Sequence, residues 1–237
     1  MLFVELMGKL RDLWHPSAGD RKRKVFVAGL SSTATKSVTA ALGALGWDVR
    51  YCPTDEVTVG EVIRGECDLS LLREADGVSD IMTLPCLRRL LRLYPDALVV
   101  RTHRDKQSWL RAMKVHWDHL DAHNDPKQPP HVLRMRSYLL SSVYRTTSFT
   151  EELLSEAYDR HVNDMAELWS EERHRWLTLD IASRRQKYTS MELWDMLAGF
   201  LNVDSHKVRN RPFYDLKEEN EFLGDFNRTQ EEAVAIR

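Results

Sequence analysis

KVFVAGLSSTATKSVTAALGALGWDVRYCP, residues 24–53, carries the reading of the fold. Residues 24–29 hold a continuous apolar run that stops at Gly29, the pattern of a strand covered on both faces. The period then changes. Val38, Ala41, Leu42 and Leu45 share one side of a helix, and Gly46 closes it. WDVRYC, residues 47–52, returns as a second strand. A strand, a turn, a helix and another strand within so short a stretch predict a βαβ unit with parallel strands.

The same alternation continues outward. Residues 76–80 predict a short third strand, Leu84, Leu87, Leu90 and Leu91 a helix, and ALVVRT (97–102) another buried strand. A helix over 106–120 follows, then a long polar stretch with prolines over 121–148, the length of a lid or binding loop. A helix over 151–171, a strand at WLTLD (176–180) and a helix over 191–201, with Leu193, Leu197 and Leu201 in one row, complete the pattern. The expectation is an α/β fold of three layers, a central and mostly parallel sheet with helices on both faces. Such sheets bind ligands beyond the carboxyl ends of their strands. The residues just after Val27, Val78 and Val100 should therefore meet in one crevice.

Toward the amino terminus, Leu2, Phe3, Leu6, Met7, Leu10, Leu13 and Trp14 make an amphipathic helix ended by Pro16. Its apolar stripe fits docking onto its own domain, a homodimer contact or a membrane surface. We divide the chain into this helix and linker (1–20), a main domain (21–215) and an acidic tail (216–237).

Composition narrows the function class. The 237 residues are 43% hydrophobic and 30% charged with a net charge of −2, an ordinary globular balance without the basic excess of a nucleic-acid partner. No apolar run reaches the ~20 residues of a membrane span, and residues 1–14 lack a signal peptide's basic start. The three cysteines, Cys52, Cys67 and Cys86, form neither a disulfide framework nor a metal-ligand spacing. A reduced, cytoplasmic protein without a metal is expected.

The turn between the first strand and its helix is the first candidate site. Its backbone N–H groups lie at the positive end of a helix dipole, and Ser31, Ser32, Thr33 and Thr35 add hydroxyls. A phosphate fits there, although such turns also cap helices without any ligand.

With these residues in view, the chain resembles the sulfotransferases that use 3′-phosphoadenosine 5′-phosphosulfate (PAPS), a P-loop family. Residues 24–53 are similar to that family's opening strand, its G-x-P-[KR]-T-G-T-[ST]-S loop and its first helix. VSDIMTLP (78–85) and LYPDALVVRTHRDKQSWLRAM (93–113) are similar to two later blocks, WLTLDI (176–181) and LAGFLNVD (197–204) more weakly. The resemblance spans residues 24–213. It implies sulfuryl transfer from PAPS to a small-molecule acceptor, with no metal.

Carried over by position, it makes Ser31, Ser32, Thr33, Ala34, Thr35, Lys36 and Ser37 the loop for the 5′-phosphosulfate. Arg104 becomes the holder of the 3′-phosphate. Apart from the resemblance, Arg209 and Arg211 near the domain's end are candidates to help hold a phosphate. Several positions depart from the pattern. Ser31 replaces its proline, Ser32 its basic residue, Ala34 its second glycine and Lys36 its helix-opening threonine, while Ala112 replaces the serine eight residues after Arg104. Charge growing on a leaving phosphate needs a cation already in place, and Ser32 supplies none. Either Lys36 turns back over the loop and the enzyme is active, or the fold is silent or repurposed and binds another ligand or a protein.

Asp80 is the candidate base or a helix cap, and His103 a base, a ligand contact or a surface histidine. Strand alternation sends Arg101 and Arg104 to opposite sides. Trp109, Met113 and Trp117 read as core. Arg134, Arg136, Tyr138, Tyr144 and Arg145 either cover the nucleotide, select the acceptor or are solvated. Asp180 ends its strand as a Walker B aspartate does, but a true Walker A loop needs glycine at Ala34 and lysine at Thr35, which disfavours ATP hydrolysis.

Overall fold

The structure, a computed structural model, describes residues 23–122, 128–172, 175–182, 188–206, 208 and 210–213. The amino-terminal helix, the acidic tail and Arg209 lie outside the described residues. In chain order the elements begin with β1 (Val25–Ala28), α1 (Thr35–Ala44), β2 (Val49–Tyr51) and α2 (Glu56–Ile63). A 3-10 turn (Ser70–Arg73), β3 (Gly77–Ser79), a second 3-10 turn (Ile81–Cys86), α3 (Leu87–Leu93) and β4 (Leu98–Thr102) follow. Then come α4 (Lys106–Ala122), α5 (Pro130–Leu139), a π-turn (Leu140–Tyr144), α6 (Glu151–Glu172), β5 (Trp176–Leu179) and α7 (Ser190–Leu201).

All five strands are parallel, in the order β2-β3-β1-β4-β5. The carboxyl ends of β3, β1 and β4 therefore stand side by side. Alternation along β1 divides the interior. Val25 and Val27 face α1 and α7, packing with Val38, Leu42, Trp194 and Leu197. Phe26 and Ala28 face the other layer, with Leu87, Trp109, Met113, Leu139 and Leu154. Trp109, Trp117 and Trp194 are fully buried, as core rather than as a platform. Truncating any one of them to alanine costs about 3–5 kcal/mol, enough to threaten a domain of ordinary stability.

Local signals explain the element ends. At the end of α1, Trp47 N–H donates to Leu42 O and Gly46 N–H to Gly43 O, a Schellman closure that needs the positive φ of Gly46 (85°). Thr189 and Glu192 form a reciprocal capping box at the start of α7.

The polar stretch after α4 is a correction. It is no long loop: residues 130–144 form α5 and the π-turn. Pro130 occupies the first turn of α5, where its missing N–H costs nothing. The helix α2 was also absent from the sequence reading; Asp55 caps it by accepting the Thr58 N–H.

Candidate functional site

The β1–α1 turn holds the centre of the site. Ser32 (φ 64°) and Ala34 (φ 70°) both adopt the left-handed conformation, which curls successive N–H groups toward one point. Ala34 precedes α1 without any side-chain cap. Among the described residues no protein group accepts the backbone N–H of residues 32–37. These donors lie at the positive end of the α1 dipole, an arrangement that suits an anion. The left-handed conformation costs an alanine about 1–2 kcal/mol that glycine is spared, and the hydrogen bonds that hold the turn offset it.

Those bonds come from every side. The Thr33 hydroxyl donates to Leu30 O at 2.6 Å, so the Thr102 hydroxyl, 2.6 Å away, donates to Thr33 in turn. Gly29 lies beneath them, where a Cβ would stand 1.9 Å from the Thr102 oxygen. Trp109 Nε1 donates to Ser31 O at 2.9 Å, and Ser31 N–H donates to the Tyr144 hydroxyl at 3.0 Å. Arg104 Nη1 donates to Ser32 O at 2.9 Å.

Beside the nest opens a crevice of about 370 Å³, the size of a small-molecule site. Ser31, Ser32, Ala34, Thr35 and Lys36 form one wall, and Tyr51, Cys52, Asp80 and Ile81 continue it from β2 and β3. The opposite wall is apolar and comes from α5 and the π-turn: Val132, Met135, Leu139 and Leu140, with Arg136 and His116 at its margin. The His131 Nε2 lies 3.0 Å from Thr54 O, which ties the start of α5 to the exit of β2.

Asp80 is buried at the end of β3 with φ 84°, and its side chain makes no cap to the following 3-10 turn. It accepts from the Thr35 hydroxyl at 3.0 Å. Burial pushes its carboxyl up, against the hydrogen bonds of the Thr35 hydroxyl and the Ile81 backbone and then the charge of Lys36, which pull it down. Lys36 Nζ stands 5.2 Å from the centre of the Tyr51 ring. Burial and then the Asp80 charge raise both the Tyr51 phenol and the Cys52 thiol, so each stays neutral beside that carboxylate.

Arg104 reaches the loop from the connection between β4 and α4 and is not among the residues that line the crevice, whereas Lys36 stands at the start of α1 with its Nζ over the Tyr51 ring of β2. The Arg104 Nε donates to Ser108 Oγ at 2.9 Å, so a serine four residues on steadies it where the expected one is Ala112. Burial lowers the Arg104 guanidinium, and the Asp105 charge opposes that.

The structure thus gathers Ser31, Ser32, Ala34, Thr35, Lys36 and Asp80 around the crevice. Thr33 and Ser37 are buried behind the loop. His103 is not among the lining residues; its N–H pairs with Leu179 O, and its charge acts on buried His161 of α6 instead. Arg211 is exposed on its backbone anchors, its N–H donating to Val208 O and its carbonyl accepting from Trp194, away from the lining. Arg134 and Arg145 are exposed as well. The α5 wall was missed, yet its signal is plain: Val132, Met135, Leu139 and Leu140 recur at helical spacing.

A family model described as a sulfotransferase domain matches residues 24–222. No curated protein matches the chain. No helix among the described residues is long and apolar enough to cross a membrane.

Proposed function

Because the chain belongs to the sulfotransferase family, we propose that it transfers a sulfuryl group from PAPS to a small-molecule acceptor seated against the α5 wall. One observation supports this reading: a turn whose N–H groups from Ser32 to Ser37 have no protein acceptor among the described residues, with Lys36 at the start of α1 and Arg104 bonded to Ser32 O. Two cations astride one loop suit a ligand with two separate anionic groups. The donor set therefore fits this nucleotide, with residues 32–37 and Lys36 at the 5′ end and Arg104 at the 3′-phosphate.

Bound there, the nucleotide supplies the sulfuryl group, and its bisphosphate leaves as the acceptor oxygen joins sulfur. Lys36 meets the charge that grows on the leaving phosphate, taking the part of the cation missing at Ser32. Asp80 takes the acceptor's proton; its raised pKa makes it a stronger base than an exposed carboxylate. The apolar wall excludes water and selects an acceptor with an apolar body around its hydroxyl or amine. The free cysteines belong with the cytoplasmic location in this proposal.

Titration with adenosine 3′,5′-bisphosphate tests it. Ligand at a hundred times Kd stabilises the folded chain by about 2.7 kcal/mol, a plain rise in Tm. That rise should vanish in Arg104→Ala and shrink in Lys36→Ala, and labelled sulfuryl should pass from PAPS to a phenol or aliphatic alcohol. No rise at millimolar nucleotide would leave a silent or repurposed fold as the better account.

A further inference from the structure

Ser31 is the one position of the turn whose N–H is spent on a side chain. Its N–H donates to the Tyr144 hydroxyl at 3.0 Å, and its carbonyl accepts from Trp109 Nε1 at 2.9 Å. The next carbonyl, Ser32 O, accepts from Arg104. Side chains from the π-turn, from α4 and from the connection between β4 and α4 therefore grip the peptide groups on both sides of the left-handed Ser32. Ser31 is 7% exposed and Tyr144 fully buried, so water does not reach this N–H. A buried N–H without an acceptor is among the costlier local defects.

A proline at this position needs no such partner. It has no N–H and its φ is fixed. Serine brings both a donor to satisfy and a freer backbone, and the tyrosine answers both. We propose that Tyr144 is a positioning residue of the phosphate loop, its hydroxyl holding Ser31 so that the nest from Ser32 to Ala34 keeps its anion-binding shape.

The surroundings of Tyr144 suit that role. Its ring lies edge-on to Trp117 at 5.7 Å and tilted against Trp109 at 6.2 Å. Arg160 Nη2 donates to its carbonyl, and the π-turn that delivers it ends at left-handed Arg145. Single π-turns are frequent at functional sites. Burial raises the phenol, so it stays a neutral hydroxyl. The same π-turn begins at Leu140, a residue of the acceptor wall, so Tyr144 joins that wall to the loop.

The test is a cycle of Tyr144→Phe, Ser31→Pro and the double variant, with Val143→Ala on the same π-turn as a packing reference. Amide exchange over residues 30–37 is read in the free proteins, and adenosine 3′,5′-bisphosphate affinity beside it. Tyr144→Phe should speed loop exchange and weaken the nucleotide about tenfold. Val143→Ala should lower Tm without speeding loop exchange. In the Ser31→Pro background, Tyr144→Phe should change neither loop exchange nor affinity. The proposal is overturned if Tyr144→Phe lowers Tm but leaves loop exchange at the wild-type rate, or if its effect persists undiminished on Ser31→Pro. Should Ser31→Pro not fold, the contrast between Tyr144→Phe and Val143→Ala still decides. The affinity arm rests on the proposed function: a wild-type protein that ignores the nucleotide ends that reading, while loop exchange still judges this one.

Discussion

The Thr35 hydroxyl donates to Asp80 Oδ1 across 3.0 Å, joining the first residue of α1 to the residue that follows β3. The contact follows from topology, since β1 and β3 are neighbours in a parallel sheet and their carboxyl ends lie at one level. Asp80 sits there at φ 84° and ψ −174°, a region that costs a non-glycine residue about 1–3 kcal/mol. A strained, buried carboxylate facing a lysine is poorly explained by stability alone.

Its replacement should separate stability from catalysis. A carboxyl whose folded pKa stands above its unfolded value holds the extra proton in the folded state. Stability therefore falls as pH rises through that interval, and above it the ionised side chain carries the full cost. Asp80→Asn should raise Tm near neutral pH, and the gain should vanish below the ordinary value of 3.8, where wild type is protonated in both states. Sulfuryl transfer should fall by about 10²–10⁴ if Asp80 is the base. Calorimetry and a transfer assay on one preparation check both halves.

Lys36 carries the second prediction. The left-handed Ser32 offers no charge, and Lys36 Nζ lies over the Tyr51 ring at the crevice wall. Removing a preorganised electrostatic donor of this kind slows a reaction by about 10²–10³. Lys36→Met should show that loss in kcat with a smaller change in nucleotide affinity. Adding Ser32→Lys to Lys36→Met should recover part of the rate, because the cation then rises from the loop itself. An unchanged kcat in Lys36→Met would remove lysine from the mechanism.

Much of this was legible in the chain. The central strands β1 and β4 announce themselves as apolar runs, because helices cover both faces and leave no polar side. That Lys36 and Asp80 meet at one crevice, with Arg104 bonded to Ser32 O beside it, then follows from strand order. What escaped were contacts between distant residues. Ser31 and Tyr144 stand 113 positions apart, and no local pattern pairs them. The α5 wall escaped for another reason: Pro129 and Pro130 read as breakers, although proline in a first helical turn marks a start. His103 was drawn toward the site by its place beside Arg104, yet its backbone continues the pairing with β5 at Leu179 O.

Arg104 gives a third prediction, which turns on geometry rather than charge. Its guanidinium bonds Ser108 through Nε and Ser32 O through Nη1, which aims the rest of the fork. Lysine has the charge without the fork. Arg104→Lys should therefore lose nearly as much adenosine 3′,5′-bisphosphate affinity as Arg104→Ala. Ser108→Ala removes only one anchor and should cost about fivefold. Isothermal titration of the three variants decides it; full affinity in Arg104→Lys would reduce Arg104 to a simple counter-charge.

The last prediction concerns acid stability and lies outside the crevice. His161 of α6 is buried, and burial first, then the charges of Arg101 and His103, push its imidazole down to about 3. Arg101 Nε nearby is itself buried, with no hydrogen-bond partner among the described residues. As pH falls below 6.5 the unfolded chain takes up the proton and the folded chain does not, so stability is lost down to about pH 3. The loss approaches about 1.4 kcal/mol for each pH unit within that window. Asp80 works in the opposite direction, gaining stability as pH falls, so the net slope of wild type understates the histidine. The informative quantity is the difference between wild type and His161→Gln, measured by denaturant titration at several pH values. The variant should lose some stability at neutral pH through poorer packing, and then fall less steeply than wild type below 6.5. Parallel curves would mean that this imidazole takes up its proton in the folded state, and that the space around Arg101 accommodates a second charge.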